Sequence, residues 1–240
     1  MQIDAQTLAA DELARLIRET PGTVEVTRCL GQRFLGTALE AGRRLVVRGV
    51  PGNALGAFLD GGSIEVYGNV QEATGDTMNE GRIVVHGSAG DATGYSMRGG
   101  TILIEGDVGY RCGIHMKSYG GKSPVLITGG RAGSFLGEYQ AGGLIVVLGL
   151  GCEDEAPYGY FCGTGMHGGR IVVRSDHIPA NLPGHVVPHD LTADEMDALR
   201  PHLEAYCAAF AVPMSRLLPH RFYALTPNTA SPYKQLYAMA

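Results

Sequence analysis

Between Gly22 and Arg174, apolar and polar residues alternate in short bursts instead of recurring at helical spacing. The bursts carry Ile64 and Val66, Ile83 and Val85, Ile102 and Ile104, Val125 and Ile127, Ile145 and Val147, and Ile171 and Val173. Period two sends each named pair to one face of a strand and the neighbours to the other. The bursts also keep a fixed phase. Gly56, Gly75, Gly94 and Gly113 stand 19 residues apart, each opening a phrase of Gly, two residues, a large apolar residue, a Gly-bearing turn and the alternating burst. Gly36 opens a copy one residue longer, Gly113 to Gly137 spans 24 residues, Gly137 to Gly163 spans 26, and Gly163 opens the seventh copy. The fourth residues are Leu39, Leu59, Met78, Met97, Met116, Gln140 and Met166, all large and apolar except Gln140.

A 19-residue unit punctuated by glycine has no room for a useful helix. Equivalent residues at equal phase stack into ladders when each unit is one coil of a solenoid. The predicted fold is therefore mainly β, a single-stranded right-handed β-helix of about seven coils. Glycine serves it where φ is positive or backbones crowd. The two long copies predict loops projecting from the rod, Ser118 to Ser123 and Glu153 to Phe161, and loops on a rigid scaffold are common contact sites. Gln140 breaks the apolar column. The insertion that follows in its copy is expected to turn it outward, since an unsatisfied buried amide costs about 1–3 kcal/mol.

Three parts follow: an N-terminal capping helix in 1–21, the β-helix in 22–175, and a helical and extended tail in 176–240. The helix is expected over Thr7 to Glu19, with Leu8, Leu13, Leu16 and Ile17 on one side and Pro21-Gly22 ending it. Thr192 and Glu195 have capping-box spacing. A helix is expected from there to about Phe210, broken or restarted at Pro201. The last 25 residues, rich in Pro and Tyr, read as an extended tail. Helix and tail are expected to cap the coil ends, whose strand edges are otherwise open.

Composition narrows the function. Glycine supplies 36 of 240 residues, and 35 of these lie from Gly22 to Gly169. A net charge of −5 and few aromatics, with no Trp, argue against a nucleic-acid surface. Five cysteines without tight spacing suit a reduced compartment. Met-Gln-Ile-Asp has no signal pattern, and the apolar stretch around Leu144 to Leu150 is too short for a bilayer. A cytoplasmic protein with no membrane and no nucleic-acid partner is expected.

Candidate chemistry is thin. Gly163 to Gly168 (GTGMHG) matches the dinucleotide fingerprint formally, but Arg170 to Val173 beyond it is the repeat's own strand, not a helix. Cys29, Cys112, Cys152, Cys162 and Cys207 contain no C-x-x-C pair, and His115, His167, His177, His185 and His189 could bind metal only by convergence in space. Tyr110, Arg111, Glu138 and Tyr139 flank one set of turns as a polar face. No G-x-S-x-G context occurs. Gln2 in place of Cys argues against an N-terminal-nucleophile amidotransferase. The expected site inventory is catalytic none, cofactor-binding none and metal none.

The phrases GDVGYRCGIHMK, GRAGSFLGEYQAGGLIVVLGL and CGTGMHGGRIVVR resemble the GXGXG domain of glutamate synthase, and most of all its stand-alone form, over about residues 22–175. The resemblance implies a non-catalytic scaffold subunit in a split, hetero-oligomeric complex. Its partners would be a class II glutamine amidotransferase-like subunit and an FMN-dependent glutamate-synthase-like subunit. FMN and an iron–sulfur cluster would belong to the latter, with no cofactor in this chain. Among three-chain relatives the resemblance leans towards N-methylglutamate synthase over glutamate synthase, the substrate being chosen by another chain. The same repeats resemble a subunit of formylmethanofuran dehydrogenase and its formyltransferase/hydrolase counterpart, though the long later copies and the tail fit that family less well. A stand-alone binding rod acting through its two loops is the third reading.

Overall fold

A computed structural model describes residues 1–228, so the part of the expected tail in 229–240 lies outside the described residues. The main element is one sheet. Strands β2 (Thr23–Leu30), β3 (Arg44–Val50), β4 (Asp60–Tyr67), β5 (Glu80–His86), β6 (Thr101–Ile104), β7 (Val125–Thr128), β8 (Ala141–Val147) and β9 (Gly168–Arg174) lie side by side in chain order, all parallel. Each comes from one turn of the β-helix. Ile64 pairs with Ile83 and Ile83 with Ile102, so the 19-residue repeat is the strand register itself.

Each coil has two further sides. One is a narrow ladder of single bridges joining Val70, Ala89, Val108, Ala132 and Tyr158 in parallel. The other is a turn strip centred on the phrase glycines. Along it positive φ recurs at every second residue, as at Ala73 (57°), Gly75 (71°) and Thr77 (52°). Amide donors alternate accordingly: Gly75 N–H reaches back to Leu55 O at 2.8 Å, and Thr77 N–H reaches forward to Tyr95 O at 2.7 Å. The central glycine is required twice over. A Cβ on Gly75 would lie 2.4 Å from Ile102 Cδ1, inside the core, on a backbone that L side chains rarely adopt.

The interior is filled by stacked columns. Ile64, Ile83, Ile102, Leu126, Ile145 and Ile171 form one of them, and all are buried. Val125 and Ile127 are therefore not the inward pair. Leu126 pairs with Ile102 and faces the core, while Val125 and Ile127 face outward into a second cluster. The run Val-Leu-Ile has no polar residue to fix its phase, and a slip of one residue exchanges the two faces.

Gln140 also departs from expectation, for it is fully buried. Its amide nitrogen faces the carbonyls of Gly142, Gly143 and Arg170 at 3.2–3.4 Å, where the β8–β9 register shifts between Ala141 and Leu144. Carbonyls released at that irregularity give an inward donor a role a methionine could not fill. Its Oε1 is left without a partner.

At the N-terminus, β1 (Gln2–Asp4) adds to β2 in parallel, and α1 (Ala10–Glu19) buries Leu13 and Ile17. The helix starts later than Thr7, because the Thr7 amide and hydroxyl are engaged in a turn with Asp4 O. At the other end β11 (Phe222–Pro227) pairs antiparallel with β9, and β10 (Val186–Asp190) pairs with β11. These strands cover the open edge. The long helix does not. α2 (Ala193–Phe210) lies on the sheet's outward face, where Leu199, Leu203 and Tyr206 cluster with Leu103, Ile127, Val146 and Val172, joined by Leu217 of the short α3 (Met214–Leu217). The capping box of Thr192 and Glu195 is formed. Pro201 sits inside an unbroken α2, on its exposed side, where water can serve the carbonyl that loses its donor.

Candidate interaction surfaces

The candidate ligand groups are dispersed by the coil geometry. Cys112 and Cys162 occupy one interior column with Leu136 between them, and burial raises both thiols, Cys162 to about 12. Desolvation likewise pushes Cys29 up to about 11. His115 stacks on Tyr139 at 5.2 Å, His185 Nε2 accepts from Gly165 N–H at 2.9 Å, and His189 meets Glu195 at 3.3 Å. His167 turns to Gly165 O, and His177 is exposed. Among the described residues no three of His, Cys, Asp and Glu converge as a metal-holding group, and no helix is long and apolar enough to cross a membrane. The GTGMHG segment runs from the turn strip straight into β9, leaving no helix N-terminus for a pyrophosphate.

The inserted loops are anchored. In the first, Tyr119 and Lys122 form a small antiparallel bridge, and Lys122 pairs with Glu80 two coils earlier. The second is held by Arg174, whose side chain is 1% exposed and meets Glu153 Oε1 at 3.2 Å. Arg174 Nη1 also donates to Leu148 O at 2.6 Å. The Glu153 carboxyl is held down to about 2, first by the backbone N–H groups of Glu153 and Gly151 and then by Arg174. Arg131 pairs with Glu155, and a shallow cavity of about 400 Å³ opens between this loop and Ala180-Asn181.

The sheet face at the C-terminal end of α2 is charged, with His86 edge-on to Phe210. Glu65 accepts from Tyr67 and Arg44 and faces His86, while Arg48 pairs with Glu25. These partners hold the Glu65 carboxyl below its usual range, against the opposing effect of its own burial. A groove of about 490 Å³, lined by Arg44, Glu65 and Arg82, runs from this network to Ala209 of α2.

The turn strip is different in kind. Phe34, Phe58, Tyr95, Tyr110, Tyr139, Tyr160 and Phe161 stand on it, each at least 39% exposed. Their rings touch from coil to coil: Tyr95 edge-on to His115, His115 on Tyr139, and Phe135 stacked on Phe161 at 4.9 Å. Arg111 lies over Phe135 and pairs with Glu138. Tyr110, Arg111, Glu138 and Tyr139 thus belong to this face, as the turn spacing implied. The other aromatics on it alternate within their turn columns with small or charged residues of other copies, as Phe34, Phe135 and Phe161 do with Ala54, Ala73, Ala92 and Arg111, so no repeated residue type marks them in the sequence. Stacking the seven copies and reading outward columns is the signal that finds them.

A family profile described as the GXGXG motif matches residues 12–229 of the chain. The uncharacterized protein MJ1350 of Methanocaldococcus jannaschii is 40% identical over 236 residues, which span 95% of this chain and 90% of that protein.

Proposed function

The chain belongs to the GXGXG-motif family, whose domain is also part of the hetero-oligomeric glutamate synthase, and from that premise we propose that it is a non-catalytic scaffold subunit of a split glutamate-synthase-type complex. It holds a class II glutamine amidotransferase-like chain and an FMN and iron–sulfur synthase-like chain in fixed relation, and N-methylglutamate synthase is the form of complex we favour. The observation that carries this reading is a stiff rod whose longest inserted loop is locked by a buried arginine, Arg174 to Glu153. A locked loop on a ladder of coils presents the same surface to every partner, as a positioning subunit requires. Preorganisation of this kind lowers the ordering cost of association.

Native purification of the tagged chain from its own host, followed by mass spectrometry and an absorbance spectrum, tests the proposal. Recovery with an amidotransferase-like chain and a yellow-brown flavin and iron–sulfur chain is expected. A colourless chain recovered without them overturns it. Methylamine-dependent formation of N-methylglutamate by the recovered complex then distinguishes the two substrate classes.

A further inference from the structure

On the outward face of the sheet, strand register sets Thr23, Arg44, Ser63, Arg82 and Thr101 side by side across β2 to β6. Every side chain in this row offers an N–H or O–H donor, and none is negative. The next row on the same face is Glu25, Val46, Glu65, Val84 and Leu103. α2 ends beside both rows. The groove of about 490 Å³ there is bounded by Arg44, Ser63, Glu65 and Arg82 on its polar side and by Val84, Ala208 and Ala209 on its apolar side. Arg44 pairs with Glu65, whose other oxygen meets Tyr67 and His86. Arg82 is different. Among the described residues it makes no ion pair, hydrogen bond or ring contact, neither with Glu65 nor with the carbonyls at the end of α2. The Ser63 hydroxyl has no partner there either. Asp60 and Glu80, at the starts of β4 and β5, gather on Lys122 instead.

Two strand spacings, about 10 Å, separate the backbones of Arg44 and Arg82 across Ser63, and long side chains from both can close on one oxyanion between them. Charge selects which oxyanion. Arg44 and Arg82 against Glu65 leave a single positive charge in the groove. One carboxylate neutralises it, whereas a phosphate dianion sets a surplus negative charge beside Glu65. We propose that the groove binds the carboxylate of a small organic acid. Arg82 grips it with its guanidinium fork, Arg44 and Ser63 add donors, and Val84, Ala208 and Ala209 pack on the acid's apolar body. The inference goes beyond the scaffold reading and does not depend on it.

Titration of the isotope-labelled full-length chain with sodium butyrate, at ionic strength held constant with sodium chloride, tests this through the arginine Nε–H signals. Those of Arg82 and Arg44 should shift saturably with one dissociation constant in the millimolar range. Arg33, equally exposed and without an ion pair, should not follow them. Arg82→Gln should weaken binding roughly tenfold or more, and Arg82→Lys, which keeps the charge and loses the fork, should recover only part of it. Glu65→Gln removes the competing charge and should strengthen binding of inorganic phosphate. Arg82 is exposed, and unchanged melting of its variants monitors the fold. Absence of saturable shifts, equal shifts at Arg33, or undiminished binding by Arg82→Gln overturns the site. Tighter binding of inorganic phosphate than of butyrate by the wild-type chain overturns its assignment to a carboxylate.

Discussion

The turn strip makes a quantitative demand at Gly75. Its φ of +71° is left-handed, and a Cβ there would lie 2.4 Å from Ile102 Cδ1 but 3.5 Å from both Ile102 Cγ1 and Ile83 Cδ1. Gly75→Ala therefore carries two separable penalties. The left-handed backbone costs an L-residue about 1–2 kcal/mol, and forcing a methyl onto Ile102 adds about 1–3 kcal/mol. Only the second can be relieved from outside. Ile102→Val removes the clashing Cδ1 and alone costs about 0.5–1.5 kcal/mol. In the double variant the remaining contacts are ordinary at 3.5 Å, so the overpacking disappears while the backbone cost stays. Equilibrium urea unfolding of the four proteins in this cycle should give a favourable coupling of about 1–3 kcal/mol. Coincident transitions by fluorescence and circular dichroism are needed first, because repeat arrays can lose two-state behaviour. Strict additivity, or a Gly75→Ala loss under about 0.5 kcal/mol, would refute the inward placement of this glycine.

Other consequences are simpler to measure. The Glu153 carboxyl is lowered in the folded protein to about 2 from 4.5, so its contribution is full above about 4.5 and is lost as pH falls towards 2. The melting difference between wild type and Glu153→Gln should thus shrink over that window, from an effect of about 1 kcal/mol after solvent screening; a constant difference contradicts the Arg174 clamp. Leu203→Ala should cost about 2–5 kcal/mol and raise amide exchange in α2 and over Val125 to Thr128 together, whereas exchange confined to the helix would deny the packing. Cys112 and Cys162, both buried with raised thiol pKa values, should resist iodoacetamide at pH 8 until the protein unfolds, and rapid native alkylation would contradict their interior position. Replacing Glu153 to Phe161 by a short Gly-Ser turn should weaken recovery of partner chains, and unchanged recovery would remove that loop from the contact.

Most of the rod was legible because its determinants repeat. Alternation in Ile83 and Val85 recurs at Ile102 and Ile104 with the same offset from a glycine, and the ladder register reproduces that offset. Legibility fails where a copy deviates. The run of Val125 to Ile127 has two apolar faces, because the segment is covered by core on one side and by α2 on the other, so alternation carries no phase. Gln140 looked unsuited to the interior because its acceptors, the carbonyls at the β8 irregularity, exist only after the strands pair. The placement of α2 on the sheet instead of the rod's end depends on contacts such as Tyr206 O–H to Glu105 O, more than a hundred residues apart. β1 is three residues long, too short to show any period. The aromatic strip was hidden by residue type: Phe34, Phe135 and Phe161 share one column with Ala54, Ala73, Ala92 and Arg111, so no repeated letter marks it.

The scaffold claim is tested most directly by reconstitution with the chains that copurify. Coupled, glutamine-dependent product formation should be absent when the amidotransferase and synthase chains are mixed alone and should appear on adding this chain stoichiometrically. Each partner should keep its separate half-reaction throughout. Full coupling of the two catalytic chains without the β-helix would contradict the account.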